Sequence, residues 1–118
     1  WEAVMFAGHH KLDNLVAIVD YNRLQGFGAT DEVMNLDSLS DKFKVFGWET
    51  QEINGHNMTE IIDAFDNLPF ASGKPSIIIA HTIKGKGISF LENKLESHYV
   101  TLDEGKYKQA MDELKQTK

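Results

Sequence analysis

The sequence predicts an α/β fold, a parallel sheet flanked by helices. Residues 15–19 and 76–80 form two short apolar runs that are rich in β-branched side chains and do not alternate with polar ones. Runs of this kind are typical of strands that are buried on both faces of a sheet. Segments with apolar residues at helical spacing lie before, between and after the two runs, and this alternation indicates parallel strands covered by helices.

The first half of the chain carries the signals of two helices and a short strand. Residues 1–12 contain apolar side chains at helical spacing. Asp37 or Ser38 can cap a second helix, and its apolar stripe is followed by Gly47, a residue type that commonly ends helices. Residues 48–53 are then predicted to form a strand.

The second half of the chain repeats this pattern. Asn57 and Glu60, three residues apart, resemble a capping box at the start of a third helix, and Thr101 and Glu104 resemble another before the last helix. Between the second buried strand and the last helix, residues 83–100 are predicted to form a long loop. The predicted order is therefore four helices alternating with three strands.

Composition narrows the class of protein. A chain of 118 residues with 42% hydrophobic content suits one domain with its own core. The 12 basic and 18 acidic residues give a net charge of −6, which disfavours nucleic acid as a partner because its backbone is anionic. The absence of cysteine excludes disulfides and cysteine-ligated zinc sites, and it fits a cytoplasmic protein.

Neither a membrane anchor nor a signal segment is visible in the sequence. No apolar run reaches the length that spans a bilayer, and the first residues lack the basic, apolar and small-residue order of a signal peptide. The chain starts at Trp1, inside the pattern of the first helix and without a capping residue before it. We therefore expect that a preceding segment has been removed.

The candidate sites are the loops that leave the two buried strands, because ligands of parallel α/β sheets bind beyond the carboxyl ends of the strands. In the first loop, the side-chain oxygen of Asn22 and the backbone carbonyl of Leu24 can both reach one small cation. Such oxygen ligands suit Mg²⁺, which binds few protein groups together with phosphate oxygens. The alternative is that Asn22 only closes a turn through its own backbone. Residues 26–30 are interpreted as a flexible turn, and His81, at the exit of the second strand, could line the crevice.

Nearly the whole chain resembles the amino-terminal domain of transketolases, and most closely the short subunit forms that are encoded separately from their partner. The similarity lies in WEAVMFA at residues 1–7, KLDNLVAIVDYN at 11–22, DKF at 41–43, FGW at 46–48, INGHN at 53–57, KPS at 74–76 and TIKGKG at 82–87. These stretches follow one another in the order and at the spacing of the family.

The resemblance implies binding of thiamine diphosphate and Mg²⁺. Asn22 matches the asparagine that binds Mg²⁺ and a diphosphate oxygen, and Leu24 matches the position whose backbone carbonyl completes the metal site. The family's aspartate ligand would precede Trp1, so Asn22 and Leu24 supply only neutral oxygens. His98 matches a histidine that lies over the cofactor and the substrate, which implies a catalytic and cofactor-binding role. Tyr99 stands where the family has glycine.

By the same resemblance, residues 1–118 are the second half of a thiamine-diphosphate-binding domain, in a transferase that is inactive without its other parts. The expected reaction transfers a two-carbon ketol unit between sugar phosphates. A carboxyl-terminal transketolase domain or partner subunit would supply the catalytic glutamate, within a homo- or hetero-oligomer. Two alternatives stay open, namely a subunit of another thiamine-diphosphate enzyme such as deoxyxylulose-phosphate synthase, and a diverged subunit without catalytic activity.

Overall fold

The computed structural model of the protein describes residues 1–116, which form five α-helices, five strands and a short 3-10 helix. The helices are α1 (Glu2–His9), α2 (Thr30–Val33), α3 (Leu39–Val45), α4 (Met58–Asp66) and α5 (Glu104–Gln116). The strands are β1 (Val16–Tyr21), β2 (Leu24–Gln25), β3 (Gly28–Ala29), β4 (Glu49–Asn54) and β5 (Ser76–His81). The chain forms two compact units, Trp1–Tyr21 with Leu36–Thr82 and Asn22–Asn35 with Ile83–Lys118.

The first unit is built on a parallel sheet with the strand order β1-β5-β4. In the central strand β5, Ile77, Ile78 and Ile79 are at most 1% exposed. Because all three strands run the same way, Tyr21, Asn54 and His81 lie opposite one another at the carboxyl edge of the sheet.

Helices cover both faces of this sheet. On one face, Ile77 and Ile79 share a buried cluster with residues of α1 and α3, including Ala7 and Phe43. On the other face, Ile78 packs with Ala64 of α4. The predicted fold class, a parallel sheet flanked by helices, is confirmed.

The prediction that both apolar runs are buried on two faces is correct for β5 and wrong for β1. Ile18, in the middle of β1, is 57% exposed. Within residues 1–116, β1 pairs only with β5 and is therefore an edge strand. An apolar run of this length indicates that a strand can be buried. Whether the strand is buried depends on its position in the sheet.

The helix limits of the first unit follow the predicted signals. Ser38 caps α3, since its hydroxyl accepts a hydrogen bond from the main-chain nitrogen of Asp41. Gly47 follows the end of α3 with φ of 85°, a left-handed conformation that favours glycine. The side-chain oxygen of Asn57 accepts from the main-chain nitrogens at the start of α4, and Glu60 accepts from the Asn57 amide at 2.8 Å.

Two predictions in the second unit need correction. Thr101 does not cap α5; instead, a carboxylate oxygen of Asp103 accepts from the main-chain nitrogen of Lys106 at 2.8 Å, three residues on. Residues 26–30 are interpreted as a flexible turn, but only residues 26 and 27 form a turn, that of the β2–β3 hairpin, and residues 28–30 form β3 and the start of α2. The hairpin escapes prediction because each of its strands has only two residues, too few to show a periodic pattern.

The long loop of the second unit is closed by hydrogen bonds. The main-chain nitrogen of Asn93 donates to the carbonyl of Lys84 at 3.0 Å, which brings the ends of the segment between them together. Gly85 has φ of 73°, and a Cβ atom there would lie 2.5 Å from the carbonyl oxygen of Leu91. The loop can close in this way only with glycine at residue 85.

Among residues 1–116, no helix is both long enough and apolar enough to cross a membrane.

Candidate functional site

The candidate site begins with a turn directly after β1. The side-chain oxygen of Asn22 accepts a hydrogen bond from the main-chain nitrogen of Leu24 at 3.0 Å. Arg23, between them, adopts φ of 62°, an uncommon left-handed conformation for a residue other than glycine. The turn through its own backbone, considered as an alternative role for Asn22, is therefore present. This hydrogen bond uses one lone pair of the Asn22 side-chain oxygen and leaves the second available, because an amide carbonyl has two lone pairs.

The carbonyl of Leu24 points to the same edge of the hairpin as its N–H group. Leu24 lies opposite Ala29, and the preceding pair is a hydrogen-bonded one, since the nitrogen of Thr30 donates to the carbonyl of Arg23 at 2.9 Å. Hydrogen-bonded and non-hydrogen-bonded pairs alternate along antiparallel strands. The N–H and C=O of Leu24 therefore face away from β3, and the N–H already meets the Asn22 oxygen.

Asn22 and Leu24 both line a recess inside the second unit, with a cavity volume of about 220 Å³. The side chains and backbone that line it come from three segments, the turn after β1, the loop after β5 and the segment before α5. They are Asn22, Leu24, Gln25, Gly26, Lys84, Leu95 and His98. The structure thus brings together all three residues that the sequence singled out, although they are up to 76 positions apart (98 − 22).

His98 is the last residue of a short 3-10 helix, Leu95–His98. The Ser97 hydroxyl donates to the carbonyl of Lys94 at 2.6 Å, and the main-chain nitrogen of Tyr99 donates to the carbonyl of Glu96 at 2.9 Å. These bonds fix the backbone on both sides of His98. Its imidazole is exposed, so a molecule in the recess can reach it.

Lys84 also lines the recess, and the sequence pattern did not predict it as a site residue. It lies in the loop after β5, where the nitrogen of Asn93 holds its carbonyl. An ammonium group in a recess with two neutral oxygens favours an anionic ligand. Two sequence signals concerned Lys84, its position in the loop beyond the carboxyl end of a buried strand and its place in the family-like stretch at residues 82–87, and both apply equally to its neighbours.

The donor set fits a metal that is shared with a phosphorylated ligand. In the described part of the chain, no group of three or more His, Cys, Asp or Glu side chains is arranged to hold a metal ion. Two neutral oxygens from Asn22 and Leu24 would leave most positions of an octahedral Mg²⁺ ion to phosphate oxygens, water or groups from elsewhere. The cation of Lys84 suits the same phosphate. The residues present therefore fit one side of a Mg²⁺–diphosphate site.

His81, the other candidate histidine, belongs to the first unit. Its Nε2 lies 2.6 Å from a carboxylate oxygen of Glu52 on the neighbouring strand β4. Its ring lies 5.7 Å from the ring of Tyr21 at the edge of the sheet. The His81 side chain therefore already has partners within the protein, and its position needs no ligand to explain it.

Comparison with known proteins identifies the family of the chain. A family model described as transketolase, thiamine diphosphate binding domain, matches residues 1–117. The 6-deoxy-6-sulfo-D-fructose transketolase subunit of Clostridium sp. (strain MSTE9) is 51% identical over 114 residues, which are 97% of this chain and 42% of that protein. One of the subunits of the apulose-4-phosphate transketolase of Phocaeicola vulgatus is 43% identical over 97% of this chain and 41% of that protein.

The solved structures give the same result. The crystal structure of transketolase from Campylobacter jejuni superposes with a TM-score of 0.87 at 36% identity, over 97% of this chain and 18% of that one. The chain spans about two fifths of the length of the curated relatives named above. The match of sequence over residues 1–117, together with the shared fold, means that the chain belongs to the family of transketolase thiamine-diphosphate-binding domains.

Proposed function

We propose that this chain is the second half of the domain that holds the diphosphate and Mg²⁺ of thiamine diphosphate in a transketolase-type transferase. The observation that carries the proposal is the common recess of Asn22, Leu24, Lys84 and His98. Family membership supports the choice of thiamine diphosphate as the cofactor. Bound thiamine diphosphate supplies the stabilised carbanion that the transfer of a ketol unit requires.

We propose different roles in cofactor binding for the oxygen donors of the recess and for its lysine. Asn22, through the second lone pair of its side-chain oxygen, and Leu24, through its carbonyl, would hold Mg²⁺, and Lys84 would neutralise charge on the diphosphate. The hydrogen bond between the Asn22 oxygen and the Leu24 nitrogen would keep the two proposed ligands close together. Binding of the cofactor then requires little further ordering of this turn.

His98 is the catalytic residue of this chain in the proposal. An imidazole can donate a hydrogen bond to a substrate hydroxyl and can exchange a proton near neutral pH. Its exposure in the recess gives a substrate access to both roles. We assign it the orientation of the donor sugar and the stabilisation of charge that develops on the sugar oxygen during transfer.

The remaining parts of the active site come from outside residues 1–118. The two relatives described above are named as subunits, which supports a partner chain that supplies the catalytic glutamate. Their names include a sulfo sugar and a sugar phosphate. We accordingly propose a donor sugar with a strongly anionic end group, a sugar phosphate in the first instance.

The test uses the full-length protein together with its partner subunit. Thiamine diphosphate is titrated calorimetrically with and without Mg²⁺, and the complex is then assayed with a ketose phosphate donor and an aldose phosphate acceptor. We expect binding that requires Mg²⁺, and transfer of two carbons without release of carbon dioxide. Consumption of pyruvate with carbon dioxide release would instead indicate a deoxyxylulose-phosphate synthase, and absence of any binding heat would remove the cofactor role.

A further inference from the structure

Tyr99 connects the two walls of the recess. Its hydroxyl donates a hydrogen bond of 2.8 Å to the carbonyl of Gly26, although the residues are 73 positions apart. Gly26 lies between β2 and β3, in the hairpin that begins with Leu24. Tyr99 directly follows His98, and the two rings are 4.8 Å apart and nearly perpendicular.

The geometry points to Tyr99 as a positioning residue that holds the His98 segment against the hairpin carrying Asn22 and Leu24. This inference rests on the proposed function and deepens it. The hydroxyl contacts main chain and so does not depend on any other side chain of the recess. Because Gly26 and His98 both line the recess, the length of this bridge sets the distance between its two walls.

The bridge also brings the Tyr99 hydroxyl close to the Cα atom of Gly26. A Cβ atom at Gly26 would lie 3.3 Å from the Tyr99 hydroxyl, which is closer than a comfortable contact. The backbone of Gly26 is not in the left-handed region, so the contact with Tyr99 is the main cost of an alanine there. Gly26→Ala therefore crowds the Tyr99 hydroxyl and disturbs the hydrogen bond, whereas Tyr99→Phe removes the hydroxyl altogether.

The two substitutions make a double-mutant cycle in the full-length protein with its partner subunit. We expect Tyr99→Phe to weaken the binding of thiamine diphosphate with Mg²⁺ by about three- to tenfold, the range of one neutral hydrogen bond. Gly26→Ala should weaken binding to a similar extent when Tyr99 is present, but by less than about 1.5-fold when phenylalanine is present, because the two residues are coupled. Tyr107→Phe, which removes a hydroxyl from an exposed tyrosine of α5, is the matched control and should leave the affinity unchanged.

Hydrogen exchange of the cofactor-free protein provides a second readout. Tyr99→Phe should speed amide exchange in residues 22–29 and 95–100 but not in α4 of the first unit. Effects of Gly26→Ala and Tyr99→Phe on affinity that simply multiply would overturn the positioning role. If the unsubstituted protein binds no thiamine diphosphate, the proposed function fails, and exchange rates that Tyr99→Phe leaves unchanged would then overturn the bridge independently.

Discussion

The side-chain oxygen of Asn22 lies 3.0 Å from the main-chain nitrogen of Leu24, and this bond links the two residues from which metal ligands are predicted. It directs the Asn22 oxygen toward the edge of β2 to which the Leu24 carbonyl also points. The turn-closing role and the proposed ligand role of Asn22 are thus compatible, since each uses one lone pair of the same atom.

Replacement of Asn22 tests both roles. Asn22→Ala removes the ligand and the bond that orders the turn, and we expect it to weaken the binding of Mg²⁺ with thiamine diphosphate by about 10- to 100-fold. Asn22→Asp keeps an oxygen at this place and should lose less affinity. Asn14→Ala, at an exposed turn of the first unit, is the matched control. An affinity unchanged by Asn22→Ala, measured by calorimetry, would remove this residue from the site.

Substitution of His98 should separate catalysis from cofactor binding. His98→Ala removes the imidazole without changing the ligands proposed for the metal, so we expect kcat/KM for ketol transfer to fall by about 100-fold or more. The affinity for thiamine diphosphate should fall by a smaller factor, because His98 is only one of the residues proposed to bind the cofactor. His9→Ala, at an exposed position on α1, should leave both quantities unchanged. A His98→Ala enzyme with normal kcat/KM would contradict the catalytic role.

Local signals in the sequence were sufficient where a structural feature depends on neighbours in the chain. The isoleucines of β5 predicted a buried strand, and Ser38 and Asn57 predicted helix caps, because each of these features needs only a few consecutive residues. The exposure of Ile18 could not be predicted in this way. It depends on which strand stands at the edge of the sheet, and that is a property of the topology.

The candidate site shows the same division. The spacing of Asn22 and Leu24 was enough to suggest them as metal ligands. His98 could be predicted only through the resemblance to transketolases. Lys84 and the bond between Tyr99 and Gly26 were missed because they bring together segments that are distant in the sequence. No periodicity or motif within one segment carries information on such a pairing.

The cap of α5 offers a direct test of a corrected prediction. Asp103 accepts from the nitrogen of Lys106, whereas Thr101 lies two residues too early to do so. We expect Asp103→Ala to lower the free energy of unfolding by about 1 kcal/mol, and Thr101→Ala to change it by less than about 0.5 kcal/mol. Urea denaturation of the two variants measures the difference. Equal losses, or a larger loss for Thr101→Ala, would show that the helix begins earlier.

The carboxylate of Glu113, in α5, should make the loop after β5 sensitive to pH. The oxygens of Glu113 accept from the main-chain nitrogen of Ser89 at 2.6 Å and from its hydroxyl at 2.8 Å, and Glu113 also accepts from the amide of Gln109. The bond from the Ser89 main chain, followed by those from the Gln109 and Ser89 side chains, lowers the pKa of Glu113.

The sign of the pH effect follows from this lowered pKa. Since the folded state favours the ionised carboxylate, its contribution to stability is complete above the ordinary glutamate pKa of about 4.3 and is lost as the pH falls through the lower folded value. We expect Glu113→Gln to speed amide exchange in residues 85–93 at pH 7, relative to the unsubstituted protein, and the ratio of the two rates to approach one as the pH falls below the lowered pKa of Glu113. Glu96→Gln removes the same charge from an exposed position, and its exchange rates should equal those of the unsubstituted protein at every pH. A ratio for Glu113→Gln that stays constant while the Glu113 carboxylate becomes protonated would mean that the carboxylate does not hold the loop through its charge.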